Sequence, residues 1–133
     1  MKKYLIILLL YSCQSNNETK ATKAECEQFK NGRFVHIATA DRTQFTFERN
    51  DTIQKEFIGN TGDFVNLQIN WTSPCSYELT FINQQVVGGD SVPVVHQNRT
   101  VKVEILEVRN DSCFIISDDG YDRLRGIVFK ARG

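Results

Sequence analysis

No stretch of this chain is long and apolar enough to cross a bilayer as a helix. Its one greasy run, residues 4–11, holds 8 residues, where about 20 are needed. Neither sign of charge is in excess: 16 basic side chains face 16 acidic ones. A nucleic-acid partner, which wants a basic face, is therefore not expected. Cys-x-x-Cys is absent, and His36 and His96 have no second ligand at a recognisable spacing. No metal or other cofactor is expected. Asp118, Asp119 and Asp122 around Gly120 do not fit the spacing of an EF-hand loop and read as an acidic hairpin turn. No G-x-S-x-G occurs, and nothing pairs either histidine with a nucleophile and an orienting acid. No catalytic residue is assigned, and the chain is not expected to be an enzyme. Also missing is any convincing helix of ten residues; residues 24–30 could form a turn or two.

What the chain does have begins at its first residue. Met1-Lys2-Lys3 is a basic n-region, residues 4–11 are a short h-region, and Ser12 is a small residue before a cut. Leu10-Tyr11-Ser12-Cys13 resembles the bacterial lipobox, in which the cysteine is acylated and becomes the mature N-terminus. That resemblance implies lipidation of Cys13 and a membrane partner reached through acyl chains, each buried methylene contributing about 0.8 kcal/mol. Gln14 is not the aspartate associated with inner-membrane retention. The expected address is the bacterial cell envelope, at the outer membrane. The expected organisation is a signal peptide over 1–12, a lipidated cysteine and polar tether over 13–25, and one domain over 26–133. Loss of Lys2 and Lys3 leaves 14 basic against 16 acidic residues, a balance of −2, so no polybasic patch assists the anchor. A domain of this size can bury roughly two thirds of its unfolded surface.

Cys26, Cys75 and Cys113 remain once Cys13 is assigned to lipid. The envelope permits disulfides, and one pair plus one free thiol is the simplest arithmetic. Cys26 and Cys75 lie in polar, turn-like surroundings and are the expected pair. Cys113 opens the apolar run Cys113-Phe114-Ile115-Ile116 and suits a buried thiol. The alternative is three reduced thiols.

Beyond Cys26 the chain reads as strands. Residues 32–37, 43–49, 53–59, 64–71, 76–82, 101–109, 112–118 and 124–131 each carry alternation or a short apolar run bounded by turn residues. The cleanest row is Val65, Leu67, Ile69 and Trp71 opposite Asn66, Gln68 and Asn70. Asn50-Asp51 and Asn110-Asp111 are read as two-residue turns. Residues 83–100, with Gly88-Gly89-Asp90 and Pro93, break the rhythm. The expected fold is all-β: an antiparallel eight-stranded meander resembling the lipocalin-like small barrels, since eight strands close a barrel and remove exposed edges. A β-sandwich is the alternative. Phe45, Phe47, Phe57, Trp71 and Tyr77 are read as inward-facing, either filling the interior or lining a pocket for a small apolar ligand.

Four fragments carry a wider resemblance: Cys26-Glu27-Gln28-Phe29-Lys30-Asn31-Gly32-Arg33-Phe34, Phe47-Glu48-Arg49, Gln54-Lys55-Glu56, and the run from Trp71 to Leu79. In the form C-x-x-F-K-x-G-x-F, F-x-R, Q-x-E and W-x-x-x-C-x-Y-x-L, they resemble small uncharacterised lipoproteins of the Bacteroidetes. The resemblance implies the Cys26–Cys75 pair and brings no activity. Some similar sequences carry a DNA topoisomerase IV label, whose chemistry needs a longer chain and a basic DNA channel. Asp51-Thr52-Ile53 and Asp90-Ser91-Val92 resemble the short O-glycosylation sites of Bacteroidetes envelope proteins, with Thr52 and Ser91 as acceptors. The expected role is non-catalytic binding of a small molecule or an envelope component. A structural or interaction module without a pocket is the alternative.

Overall fold

The computed structural model describes residues 20–86 and 99–132. A short helix, α1 (Lys23–Glu27), precedes eight strands: β1 (Gly32–Ala38), β2 (Gln44–Arg49), β3 (Ile53–Ile58), β4 (Asp63–Ser73), β5 (Ser76–Gln85), β6 (Thr100–Arg109), β7 (Ser112–Asp118) and β8 (Arg123–Lys130). Each strand pairs antiparallel with the next, and β8 returns to β1 through Val35↔Phe129 and His36↔Val128. The sheet is a closed barrel in strict chain order. Closure pairs every strand on both sides, so no edge is left to recruit another chain. The architecture is consistent with a lipocalin-like small barrel; the β-sandwich alternative fails on the β1–β8 pairing.

Turn chemistry matches the sequence closely. Asn110 adopts the left-handed conformation (φ 53°) and links Arg109 to Ser112 through a two-residue turn. The β2–β3 connection is one residue longer than expected. Asn50 Oδ1 accepts from the amides of Thr52 (3.1 Å) and Ile53 (2.9 Å), which folds residues 50–52 into the turn. That pairs Arg49 with Gln54.

The two ends of the barrel differ. At one end lie the β2–β3, β4–β5 and β6–β7 turns together with α1. Thr22 and Glu25 cap that helix reciprocally, at 3.0 and 3.2 Å, satisfying amides that its first turn leaves unpaired. Cys26 is joined to Cys75 by a disulfide. Lys20 N donates to Leu106 O at 2.8 Å, and Phe29, fully buried, plugs the barrel beneath Phe34. From this plug an aromatic column rises through the interior: Phe29 to Phe34 (5.9 Å), Phe34 to Phe47 (5.4 Å), Phe47 to Phe45 (5.9 Å) and Phe45 to His36 (4.6 Å). Cys113 is a free thiol buried in the wall; burial, partly opposed by Arg49, pushes its pKa up to about 12. The opposite end carries the β1–β2, β3–β4 and β7–β8 loops and the two ends of the β5–β6 connection.

One strand is inverted relative to the expectation. Phe57 does not face inward: it pairs with Thr46 and Phe64 on the outer surface, under the cationic heads of Arg33 (5.6 Å) and Lys55 (5.4 Å). Gln54 and Glu56 take the inward positions instead, opposite Arg49 and Phe47. The physical reason is the turn just described. Register fixes which face every residue of a strand takes, and the Asn50 turn places Gln54 beside the buried Arg49.

Candidate functional site

The barrel interior is packed at the plugged end and hollow toward the other. The hollow is a cavity of about 460 Å³ that reaches from Arg49 at its floor to Arg99, Asp119 and Asp122 at its mouth. Its walls are chemically divided. Strands β4 to β8 contribute mostly apolar side chains, Leu67, Leu79, Val103 and Val128 among them, with Tyr77 and Ser117 as their polar members. Strands β1 to β3 contribute His36, Phe45, Phe47, Arg49, Gln54 and Glu56. A cavity of a few hundred Å³ with apolar walls and a few converging polar groups is the usual form of a small-molecule site.

The floor is a hydrogen-bonded network built on Arg49, which is 6% exposed. Its Nε donates to Gln54 Oε1 (2.7 Å), one terminal nitrogen to Phe29 O (3.0 Å) and the other to Tyr77 Oη (2.6 Å). Gln54 Nε2 donates in turn to Glu56 Oε1 (2.8 Å). The guanidinium lies over the rings of Tyr77 (4.4 Å) and Phe47 (4.7 Å), so aromatic faces as well as oxygens hold it in place. Glu56 is half-buried and lines the cavity. Burial raises its pKa, against the smaller opposing effects of the Gln54 hydrogen bond and the Arg49 charge. The Tyr77 hydroxyl is likewise raised by burial and opposed by Arg49.

Higher on the wall, His36 is half-buried and its imidazole lies across Gly126, where a Cβ would stand 2.4 Å from Nε2. Burial first, and the positive charge of Arg49 second, lower its pKa, so the ring is neutral at neutral pH. His36 Nδ1 is buried without a hydrogen-bond partner. At the mouth, Arg99 pairs with Asp119 (3.3 Å) and covers the Tyr121 ring (3.9 Å). Asp119 also accepts from the amides of Tyr121 (2.9 Å) and Asp122 (2.8 Å), and these bonds hold its pKa low. The acidic run 118–122 thus builds a hairpin turn, and among the described residues no group of three or more metal-ligating side chains gathers.

Of the aromatic residues singled out in the sequence, Phe45, Phe47 and Tyr77 line the cavity, whereas Trp71 and Phe57 do not. Trp71 packs on Tyr77 (4.7 Å) toward the plug, beneath Lys30 (5.2 Å). Arg49, Gln54 and Glu56 stand out in the sequence only as parts of the F-x-R and Q-x-E motifs. The signal that could have marked them is the polar pair at positions 54 and 56 following an arginine across a tight turn. Thr52 sits exposed in the β2–β3 turn; Cys13 and Ser91 lie outside the described residues.

Family models, curated proteins and solved structures were all compared with the chain, and none matches. The resemblance to small Bacteroidetes lipoproteins accordingly remains an expectation carried by its motifs.

Proposed function

We propose that this protein is an envelope lipoprotein, anchored through acylated Cys13, whose barrel binds a small, largely apolar molecule without transforming it. The observation that carries this reading is the cavity of about 460 Å³ at the centre of a closed barrel. Apolar walls supply affinity by removing ligand surface from water, and a few polar groups on one wall supply orientation. A barrel serving only as a structural or interaction module has no use for that void, since unfilled interior volume costs stability.

The reading is tested with N-phenylnaphthylamine, an uncharged fluorophore that brightens in apolar surroundings. The described barrel with its plug lies within residues 20–131, so the chain from residue 13 with Cys13→Ser is suitable material. Saturable enhancement at one equivalent is expected. Leu67→Trp, which places a bulky ring in the cavity, should weaken it on the order of tenfold or more by steric exclusion, with circular dichroism unchanged. Equal binding by the filled variant would place the probe elsewhere and remove the support. The anchor has its own measurement. Cys13→Ala should move the protein from the membrane fraction to the soluble one, and unchanged fractionation would dispose of the lipid attachment.

A further inference from the structure

The ligand-binding reading leaves open what the ligand's polar end is, and the cavity floor bears on that. Arg49 carries five N–H donors. Three of its hydrogen bonds are accounted for, and each acceptor is neutral: an amide oxygen, a backbone carbonyl and a phenol. The network's acid, Glu56, stands one residue removed, behind Gln54. A guanidinium taken out of water without a carboxylate directly against it bears a desolvation cost of several kcal/mol. The tyrosine and phenylalanine rings cover its faces at 4.4 and 4.7 Å and leave its edges for hydrogen bonding. One N–H on each terminal nitrogen has no acceptor among the described residues. Arg49 lines the cavity, a guanidinium suits a carboxylate acceptor, and a charged acceptor roughly doubles the strength of each bond. Burial raises the Glu56 pKa, which lessens its opposition to an anionic head group.

We infer that the cavity takes a single-chain amphiphile with a carboxylate head, the head seated at Arg49 and the chain rising along the β4–β8 wall toward Arg99. This rests on the ligand-binding reading and adds the sign and position of the head. Size is consistent. A water occupies roughly 30 Å³ of liquid, and a methylene is of similar bulk, so 460 Å³ accommodates roughly 15 such groups by that measure. Dodecanoate is of about that length.

The test measures displacement of N-phenylnaphthylamine at neutral pH by dodecanoate, methyl dodecanoate and dodecylamine, each below its micelle threshold. Dodecanoate should bind roughly tenfold or more tightly than the ester or the amine, the worth of a charge-assisted hydrogen bond. Arg49→Met should erase that preference and leave the ester unaffected. Arg49→Lys, which keeps the charge and loses the fork, should retain part of it. Should these variants not fold, the series on the unaltered protein decides alone. Ester binding equal to or tighter than acid binding overturns the carboxylate head and leaves the apolar site standing. Displacement by none of the three, with the fluorophore still bound, does the same. Absence of fluorophore binding overturns both readings.

Discussion

At the scale of single residues, His36 and Gly126 are closely coupled. The imidazole occupies the space a β-carbon at 126 would need, at 2.4 Å from Nε2 and 3.2 Å from two ring carbons. Gly126→Ala therefore forces the ring into the cavity or spreads β1 from β8, and overpacking of this kind costs about 1–3 kcal/mol. Removing the ring should relieve it. In urea titrations, His36→Ala with Gly126→Ala is expected to lie near His36→Ala alone, a coupling of about 1 kcal/mol or more. Strict additivity of the two changes would show that the ring and the glycine do not share that space. This contact was not legible in the sequence. His36 reads there as an ordinary strand residue, and nothing local to Gly126 names the residue that lies over it from a strand some ninety positions earlier. Cys26 and Cys75 were legible, because their polar, turn-like settings contrast with the apolar run around Cys113.

At the scale of elements, α1 and Phe29 close one end of the barrel, and the Cys26–Cys75 bond fastens them to the β4–β5 turn. Its sequence separation of 49 residues gives a stabilisation of about 4 kcal/mol in the chain-entropy treatment. Replacing both cysteines by serine should lower the unfolding free energy by roughly 3–4 kcal/mol by the same reasoning. Urea midpoints with and without reductant are the check. A loss below about 1 kcal/mol would mean that packing of Phe29 and the Lys20–Leu106 hydrogen bond hold the plug unaided. Strand β3 is the element whose facing was misjudged. Ile53 and Phe57 share one face of it, and alternation alone turns that face inward. The Asn50 turn sets the opposite phase, and Gln54 and Glu56 are admitted because Arg49 and its neighbours supply their hydrogen bonds. Buried polar groups are tolerated on that condition. Outside, the stems of Arg33 and Lys55 cover the displaced phenylalanine.

At the scale of the whole molecule, closure creates an enclosed space into which a carboxyl group is drawn. Glu56 has its pKa raised above the usual 4.5, chiefly by burial. The folded protein therefore holds that proton more tightly than the unfolded chain does. The stability this confers is fully present below about pH 4.5 and is lost as pH rises through the folded-state value. Glu56→Gln should be more stable than the unaltered protein above that interval and lose the associated slope. Urea unfolding of the pair across the acid and neutral range measures it, and parallel profiles would refute the assignment. The lowered carboxyls of Glu25, Asp41 and Asp119 act with the opposite sign. The Glu56→Gln change leaves all three in place, so they are common to both proteins and cancel in the comparison. His36 also opposes Glu56: its lowered pKa makes stability fall as pH drops below about 6.5.

The sequence by itself determined the strand count, their order, most of the turns and the β character of the fold. These are written in nearest-neighbour chemistry, in alternation with period two and in Asn, Asp and Gly at the reversals. It also marked three of the side chains that line the cavity, Phe45, Phe47 and Tyr77. Closure into a barrel was expected from the count of eight strands; tertiary structure decided it against the β-sandwich by pairing β8 with β1, segments about ninety residues apart. It alone decided that Trp71 would seal the plugged end, and that Arg49, Gln54 and Glu56 would meet on a cavity floor. A buried charge is stabilised by partners in space, and those partners come from β2, β3, β5 and Phe29, two residues after α1. No local pattern carries that information, because the cost of burying Arg49 and the groups that offset it belong to different parts of the chain.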